Sequence, residues 1–252
     1  AGGTIAAANA ARAKPDGYTL VITTNTTHSA GPALFKNIKY DPIADFEPIA
    51  RIGNIGSIIV SNPELRPKTI KQFIAYAKAN PGTLSYGFGN STGRVVGETL
   101  RRTTGMDIVA VPYRSNIMAG ADLLAGRLAM MVADFTTGIP QIRAGKMRAL
   151  AVPTKNRSSD FPDIPTLNET VMPGFDLIAW LGMFAPAGTP PDVIEKLSQA
   201  MQDVLAKPSV REQFHKAGIE ASWTDQKDFG AFVKSELVKW TRLIKAAGIE
   251  AQ

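Results

Sequence analysis

Short apolar runs alternate with helical patterns along most of the chain. Tyr18 to Thr24 (YTLVITT) and Ser57 to Ser61 (SIIVS) are strand-sized and rich in β-branched residues, so each predicts a strand. In the following TIKQFIAYAKAN, Ile70, Phe73, Ile74 and Ala77 stand at i, i+3, i+4 and i+7, the spacing of an amphipathic helix. The alternation then repeats: LSYG, DIVAVPY, RLAMMVAD and RALAVP predict strands, and GRVVGETLRRTTG, NIMAGADLLAG and TGIPQIRAG predict the helices between them. Gly105, Gly126 and Gly145 stand where helix C-caps belong. Ser158 to Phe175 has three prolines and no clear period, which predicts a surface excursion. LIAWLGMFAPAGTPP resumes a strand, and three helical patterns follow it. The last sets Phe229, Phe232, Val233, Leu237, Trp240 and Ile244 on one face.

Repeated βα units of this length predict an α/β fold with parallel sheets and right-handed crossovers. Ligands in such sheets bind beyond the carboxyl ends of the strands. The loops at those ends are Gly87 to Gly93, Arg114 to Asn116 and Asp134 to Gly138, with an equivalent loop, Thr24 to Ser29, near the start. They are rich in Asn, Ser, Thr and Gly and poor in Lys, so they suit neutral hydrogen-bond donors better than a charge clamp. The chain is expected to run from one lobe into a second and back. Lobe 1 is residues 1–58 plus 182–252, lobe 2 is residues 59–181, and the crossings near Ile58 and Trp180 act as hinges around a ligand cleft.

Composition narrows the chemistry. The chain has 252 residues, 44% of them apolar, enough for one or two domains with a real core. Its longest apolar runs are strand-sized, far short of the ~20 residues of a membrane-spanning helix. It has no cysteine, which removes disulfides, Cys-ligated zinc and thiol nucleophiles. The formal net charge of +6 is spread without a basic stripe or interleaved aromatics, so it reads as a solvated surface that helps collect anions, not as a nucleic-acid interface. No secretory signal pattern opens the chain. It begins AGGTIAAANAA, which looks like the inside of a domain, and a missing N-terminal segment would explain that.

The glycine loop is Gly87-x-Gly89-x-x-x-Gly93. No Gly-Lys-Ser/Thr follows, so it is not a phosphate-binding P-loop. The dinucleotide fingerprint also fails, because Thr92 stands at its third glycine and no acidic residue closes the next strand. Two readings fit: a tight βα turn with an N-cap, or a site for a small anion. The donors of Asn90, Ser91 and Thr92 at a helix start favour the anion. Asp134 closes an apolar strand and is expected to cap the next helix through Thr136 or Thr137; alternatively it orients a ligand's polar tail or ammonium. His28 reads as a loop hydrogen-bonder in preference to a general base, since no nucleophile elbow and no metal-ligand cluster accompanies it. Phe88, Phe135 and Trp180 stand near the expected cleft. Trp180 reads as core, and Phe88 fits a ligand wall as well as a loop.

Whole segments then carry a resemblance. DGYTLVITTNTTHSAGPALFKNIKYDPIADFEPIA, YGFGNSTG, VPYRSNIMAGADLLAGRLAMMVADF, IRAGKMRALAV, PDIPTLNE and WLGMFAPAGTP resemble the Bug-type solute-binding proteins of tripartite tricarboxylate transporters, and the likeness covers essentially all 252 residues. It implies a periplasmic receptor of the two-lobed binding-protein fold (type II), each lobe a mainly parallel sheet flanked by helices. Such a receptor captures a small organic carboxylate (a di- or tricarboxylate, an acidic amino acid or an aromatic carboxylate) and delivers it to membrane permease subunits. It implies no enzyme activity, no cofactor, no metal and no nucleic acid. Thr24, Asn25, Thr26, Asn90, Ser91 and Thr92 would carry the polar contacts, Phe88, Phe135 and Trp180 the apolar side, and Asp134 a polar tail. Against the family pattern the first βα unit is missing, so half of the carboxylate clamp is expected to be absent from this chain. The expected state is a monomer, with strand exchange open if the N-terminus is truly missing. Phe88, where the family often has a small residue, and Ser115, where it often has Gly, point to an aromatic or planar ligand.

Two rival readings stay open at this level. The same doubly wound scaffold serves enzymes acting on a nucleotide or a thioester. Two-lobed binding domains also sense ligands inside repressors, which a preceding DNA-binding helix-turn-helix would reveal.

Overall fold

A single residue, Gly56, separates the last strand residue of one sheet from the first of another. In the computed structural model, which describes residues 2–251, the chain forms two compact units. Unit 1 takes the chain up to Ile55 together with the chain from Ala179 onward; unit 2 is Gly56–Ile178. Unit 1 begins with α1 (Thr4–Ala11), β1 (Val21–Thr24), a π-helical turn (Thr26–Ala30), α2 (Gly31–Leu34) and β2 (Phe46–Ile55). Unit 2 follows with β3 (Ser57–Ser61), α3 (Ile70–Ala79), β4 (Ser85–Phe88), α4 (Ser91–Thr104), β5 (Val109–Pro112), α5 (Asn116–Leu124), β6 (Met130–Asp134), α6 (Phe135–Arg143), β7 (Arg148–Ala151) and α7 (Leu167–Thr170). The chain returns to unit 1 for β8 (Ala179–Pro186), α8 (Pro191–Ala206), α9 (Pro208–Lys216), β9 (Ile219–Thr224) and α10 (Gln226–Ala246).

The sheet of unit 1 runs β1-β8-β2-β9 and is antiparallel throughout. This corrects the expectation of a mainly parallel sheet. β2 carries the chain out of the unit and β8 carries it back, so the two lie side by side in opposite directions, from Phe46↔Pro186 to Ile55↔Ala179. An aromatic core of Phe46, Trp180, Phe184 and Phe229 covers one region of this unit, and Ile49, Ala50, Ala185 and Ile194 form another cluster.

The sheet of unit 2 runs β5-β4-β6-β3-β7 and is mixed. β4 pairs in parallel with β5 and β6, whereas β3 runs antiparallel to β6 and β7. The predicted parallel arrangement therefore holds for β5, β4 and β6, where helices supply the crossovers. Ile58, Val60, Leu128, Met131 and Ala133 pack its core. The apolar repeat read from the sequence is also the buried face of α3: Ile70, Phe73, Ile74 and Ala77 are all buried, and the Thr69 hydroxyl caps the helix by accepting from the Gln72 N–H. The three parallel strands end on the same side of the sheet, and that end positions the site.

Six elements had no counterpart among the predicted ones: α1, the π-helical turn, α2, β2, α7 (inside the predicted excursion) and β9. β2 contains Pro48 and Gly53, which weaken a strand reading of the sequence. The structure accommodates both at register irregularities, between Pro48 and Ala50 and between Arg51 and Gly53. At Gly53 the close approach of β9 demands glycine, since a Cβ there would lie 2.4 Å from the Glu220 carbonyl oxygen.

Candidate functional site

Each of the three parallel strands hands the chain to a helix, either directly or through a short loop: β4 to α4, β5 to α5 and β6 to α6. The loops are tied to one another by backbone approach. A Cβ on Gly89 would lie 2.1 Å from the Ser115 carbonyl carbon and 2.2 Å from the Asn116 nitrogen, so only glycine lets these two loops touch. The Gly89 N–H donates to Asn116 Oδ1 (3.0 Å), and the Tyr113 N–H donates to the Phe88 carbonyl (2.9 Å).

Asn90 joins two of the helices. It is the N-cap of α4, with extended backbone, and its Oδ1 accepts from the Gly93 N–H at 2.8 Å. Its Nδ2 donates to both oxygens of Asp134, at 3.1 and 3.2 Å. The amide predicted to grip a ligand is thus committed at both ends to the protein. Ser115 caps α5, accepting from the Met118 N–H at 3.4 Å.

Asp134 precedes α6 but makes no side-chain capping bond, which corrects the expected cap through Thr136 or Thr137. Its carboxylate turns to Asn90 instead. Burial pushes the Asp134 pKa up, and the amides of Asn90 and Asn116 pull it partly back. The Asn116 side chain acts on Asp134 in this way, while its Nδ2 is buried and makes no hydrogen bond of full geometry among the described residues. Ser91 and Thr92, in the first turn of α4, are both buried.

The aromatic residues divide. Phe88 is half-buried, its ring tilted 5.8 Å from that of Tyr86, whose hydroxyl donates to Glu98 Oε1 at 2.7 Å. Phe135 is core: its ring lies where a Cβ on Gly56 would come within 2.3 Å, and it meets Phe161 edge-on. Trp180 is fully buried in unit 1 against Phe229 and Phe232, at 5.7 and 5.8 Å. Both rings are buried, which fits the core reading of Trp180 and extends it to Phe135. Both rings gain more by covering backbone and other rings than by waiting in water.

Thr24, Asn25 and Thr26 belong to unit 1, at the end of β1. The Thr26 N–H donates to Thr24 Oγ1 (3.3 Å), Asn25 is buried, and the Thr27 hydroxyl donates to the Thr24 carbonyl (3.0 Å) and contacts the Thr23 hydroxyl. The π-helical turn after them buries His28 completely. Its ring stacks on Phe184 at 4.1 Å and meets Phe46 edge-on at 4.7 Å, while Nδ1 lies 3.1 Å from the Thr27 hydroxyl. Burial lowers its pKa to about 3, so the imidazole is neutral and sealed from any solute. The sequence reading of a loop hydrogen-bonder fits the Thr27 contact, and the structure adds that the ring is part of the core.

Of the predicted residues, the structure gathers Phe88, Asn90, Ser91, Thr92 and Asp134 at one end of the unit 2 sheet. Asn116 and Gly89 complete that end. The loop Arg114 to Asn116 was visible as a strand-to-helix turn, but nothing in its spelling singled out Asn116, whose partner Gly89 lies 27 residues away. Chemically the arrangement offers helix-terminal N–H groups, hydroxyls, two amides and one partly buried acid. Among the described residues no group of three or more His, Cys, Asp or Glu could hold a metal.

The chain matches the tripartite tricarboxylate transporter family receptor profile over residues 1–249. It is 30% identical over 251 residues to the protein BugT of Bordetella pertussis, an alignment covering 98% of this chain and 77% of BugT. The solved periplasmic binding protein BugD is 33% identical with a TM-score of 0.90, covering 100% of this chain and 85% of BugD. An R. palustris protein solved with adipate is 30% identical with a TM-score of 0.93, covering 99% of this chain and 84% of that one. MatC from Rhodopseudomonas palustris, solved with bound malate, is 29% identical with a TM-score of 0.86, covering 97% and 85%. These likenesses extend over both units and fix the fold as the α/β fold of periplasmic binding proteins. The chain belongs to the tripartite tricarboxylate transporter receptor family, and it is a periplasmic solute-binding receptor, not an enzyme.

Proposed function

We propose that this receptor captures a small organic carboxylate at the helix N-termini of unit 2 and delivers it to the membrane subunits of a tripartite transporter. The observation that carries the reading is the convergence of the first turns of α4, α5 and α6 beside one another, tied by Gly89–Asn116 and Asn90–Asp134 bonds. Each helix N-terminus favours an anion by about 0.3–1 kcal/mol at an exposed site, and more when partly buried. Neutral donors hold an acid without the deep well of a buried ion pair, which suits a protein that must let go. The relatives solved with adipate and malate, both carboxylates, support the class.

Ser91 and Thr92 are assigned to the ligand's carboxylate and Phe88 to its apolar part. Asn90 and Asp134 act at the same end of the sheet, Asn90 through the loops it ties. The receptor acts as a monomer carrying one ligand per chain. A panel of mono-, di- and tricarboxylates screened by thermal shift tests the reading. A ligand at 100 times its dissociation constant adds about 2.7 kcal/mol, or about 5–10 °C for a chain of this size. A panel that leaves the melting temperature unmoved at millimolar concentrations refutes it.

A further inference from the structure

We infer that Asn116 and Asp134 together read a hydroxyl group on the ligand, so that the receptor prefers 2-hydroxycarboxylates to the same acids without the hydroxyl. The inference rests on the carboxylate site proposed above and names its ligand class more closely.

Asn116 opens α5 and is only 6% exposed. The Gly89 N–H donates to its Oδ1 at 3.0 Å, which settles the orientation of the amide and turns Nδ2 away from Gly89. That Nδ2 is buried and has no hydrogen-bond partner among the described residues. A buried amide donor without an acceptor is disfavoured, so a ligand atom with a lone pair is welcome there.

Asp134 supplies the complementary half. Its oxygens accept from Asn90 Nδ2 at 3.1 and 3.2 Å, and a carboxylate has about four acceptor positions. It is partly exposed, so acceptor capacity remains for a donor arriving from solvent. The groups that face it are neutral: the amides of Asn90 and Asn116, and Ser57, its register partner on β3. A ligand carboxylate cannot use this position, since it has no hydrogen to donate. A hydroxyl can use both halves, accepting from Asn116 Nδ2 and donating to Asp134, whereas a methylene can use neither. The Gly89 and Asn90 bonds fasten this pair to the start of α4, where the carboxylate is assigned. The hydroxyl therefore belongs on the carbon next to the carboxylate.

Isothermal titration of the protein with malate against succinate, and lactate against propionate, tests this. The hydroxylated member of each pair is expected to bind about 10- to 100-fold tighter, the worth of hydrogen bonds to a charged, partly buried group. In Asp134→Asn and in Asn116→Ala the ratio is expected to collapse to about threefold or less. A purely structural role for either residue weakens both members equally and leaves the ratio standing, and that result overturns the inference. So does wild-type protein that binds the acids without regard to the hydroxyl; in that case the carboxylate site survives and only the hydroxyl reading falls. If no acid of either kind binds, both fall together.

Discussion

The sealed histidine of unit 1 gives a stability prediction with a definite sign. His28 has a folded pKa of about 3 because burial among Phe46, Phe184 and Tyr40 disfavours the imidazolium. In the unfolded chain it titrates near 6.5. Between these values the unfolded state binds one more proton than the folded state, so stability is fully present above the unfolded pKa and is lost as pH falls below it. From about pH 7.5 to about pH 5 the loss from this one group is about 2 kcal/mol. The perturbation is His28→Phe, which keeps a ring against Phe184 and removes the titration. All tryptophans (Trp180, Trp223 and Trp240) belong to unit 1, so their fluorescence reports its unfolding in urea. Whatever His28→Phe does to baseline stability cancels in the difference between the two pH values. Asp134 works in the opposite direction, since its raised pKa favours the folded state as pH falls, but it is common to both proteins and cancels too. Wild type should lose about 2 kcal/mol more than the variant between these pH values. Equal losses refute the burial argument for His28.

Two further predictions concern the tied loops. Gly89→Ala sets a methyl group against the Ser115 and Asn116 backbone, which cannot swing away as a side chain would. It should cost about 1–3 kcal/mol in a chemical melt and abolish carboxylate binding in a titration. Asn90→Ala removes the cap of α4 and the donor to Asp134 together, and a melt should show about 2 kcal/mol lost, more than a cap alone accounts for.

Unit 2 was largely legible because its elements are local. A period of 3.6 buries one face of a helix, and short β-branched runs fill the strands between them. The loops at the strand ends followed from the same reading. Their internal roles did not. Asn90 meets Asp134 across 44 residues and Asn116 meets Gly89 across 27, so whether an amide faces a ligand or another loop is decided only when the three strands pair. Asn90 therefore serves as a tie where the sequence pointed to a ligand donor. β2 escaped notice because Pro48 and Gly53 argue against a strand until the neighbouring β8 and β9 supply bulged partners for it. His28 sat in a polar stretch of sequence, yet its partners Phe46 and Phe184 come from distant strands. Periodicity reads the elements; partners chosen across the sheet remain invisible to it.

The location of the ligand is tested most directly by amide chemical shifts of isotope-labelled protein titrated with malate. The largest changes should fall on Gly89 to Gly93, Asn116 to Met118 and Asp134 to Gly138, the three strand-to-helix junctions of unit 2. Saturating malate that leaves those amides unmoved, while shifting others or none, contradicts the account.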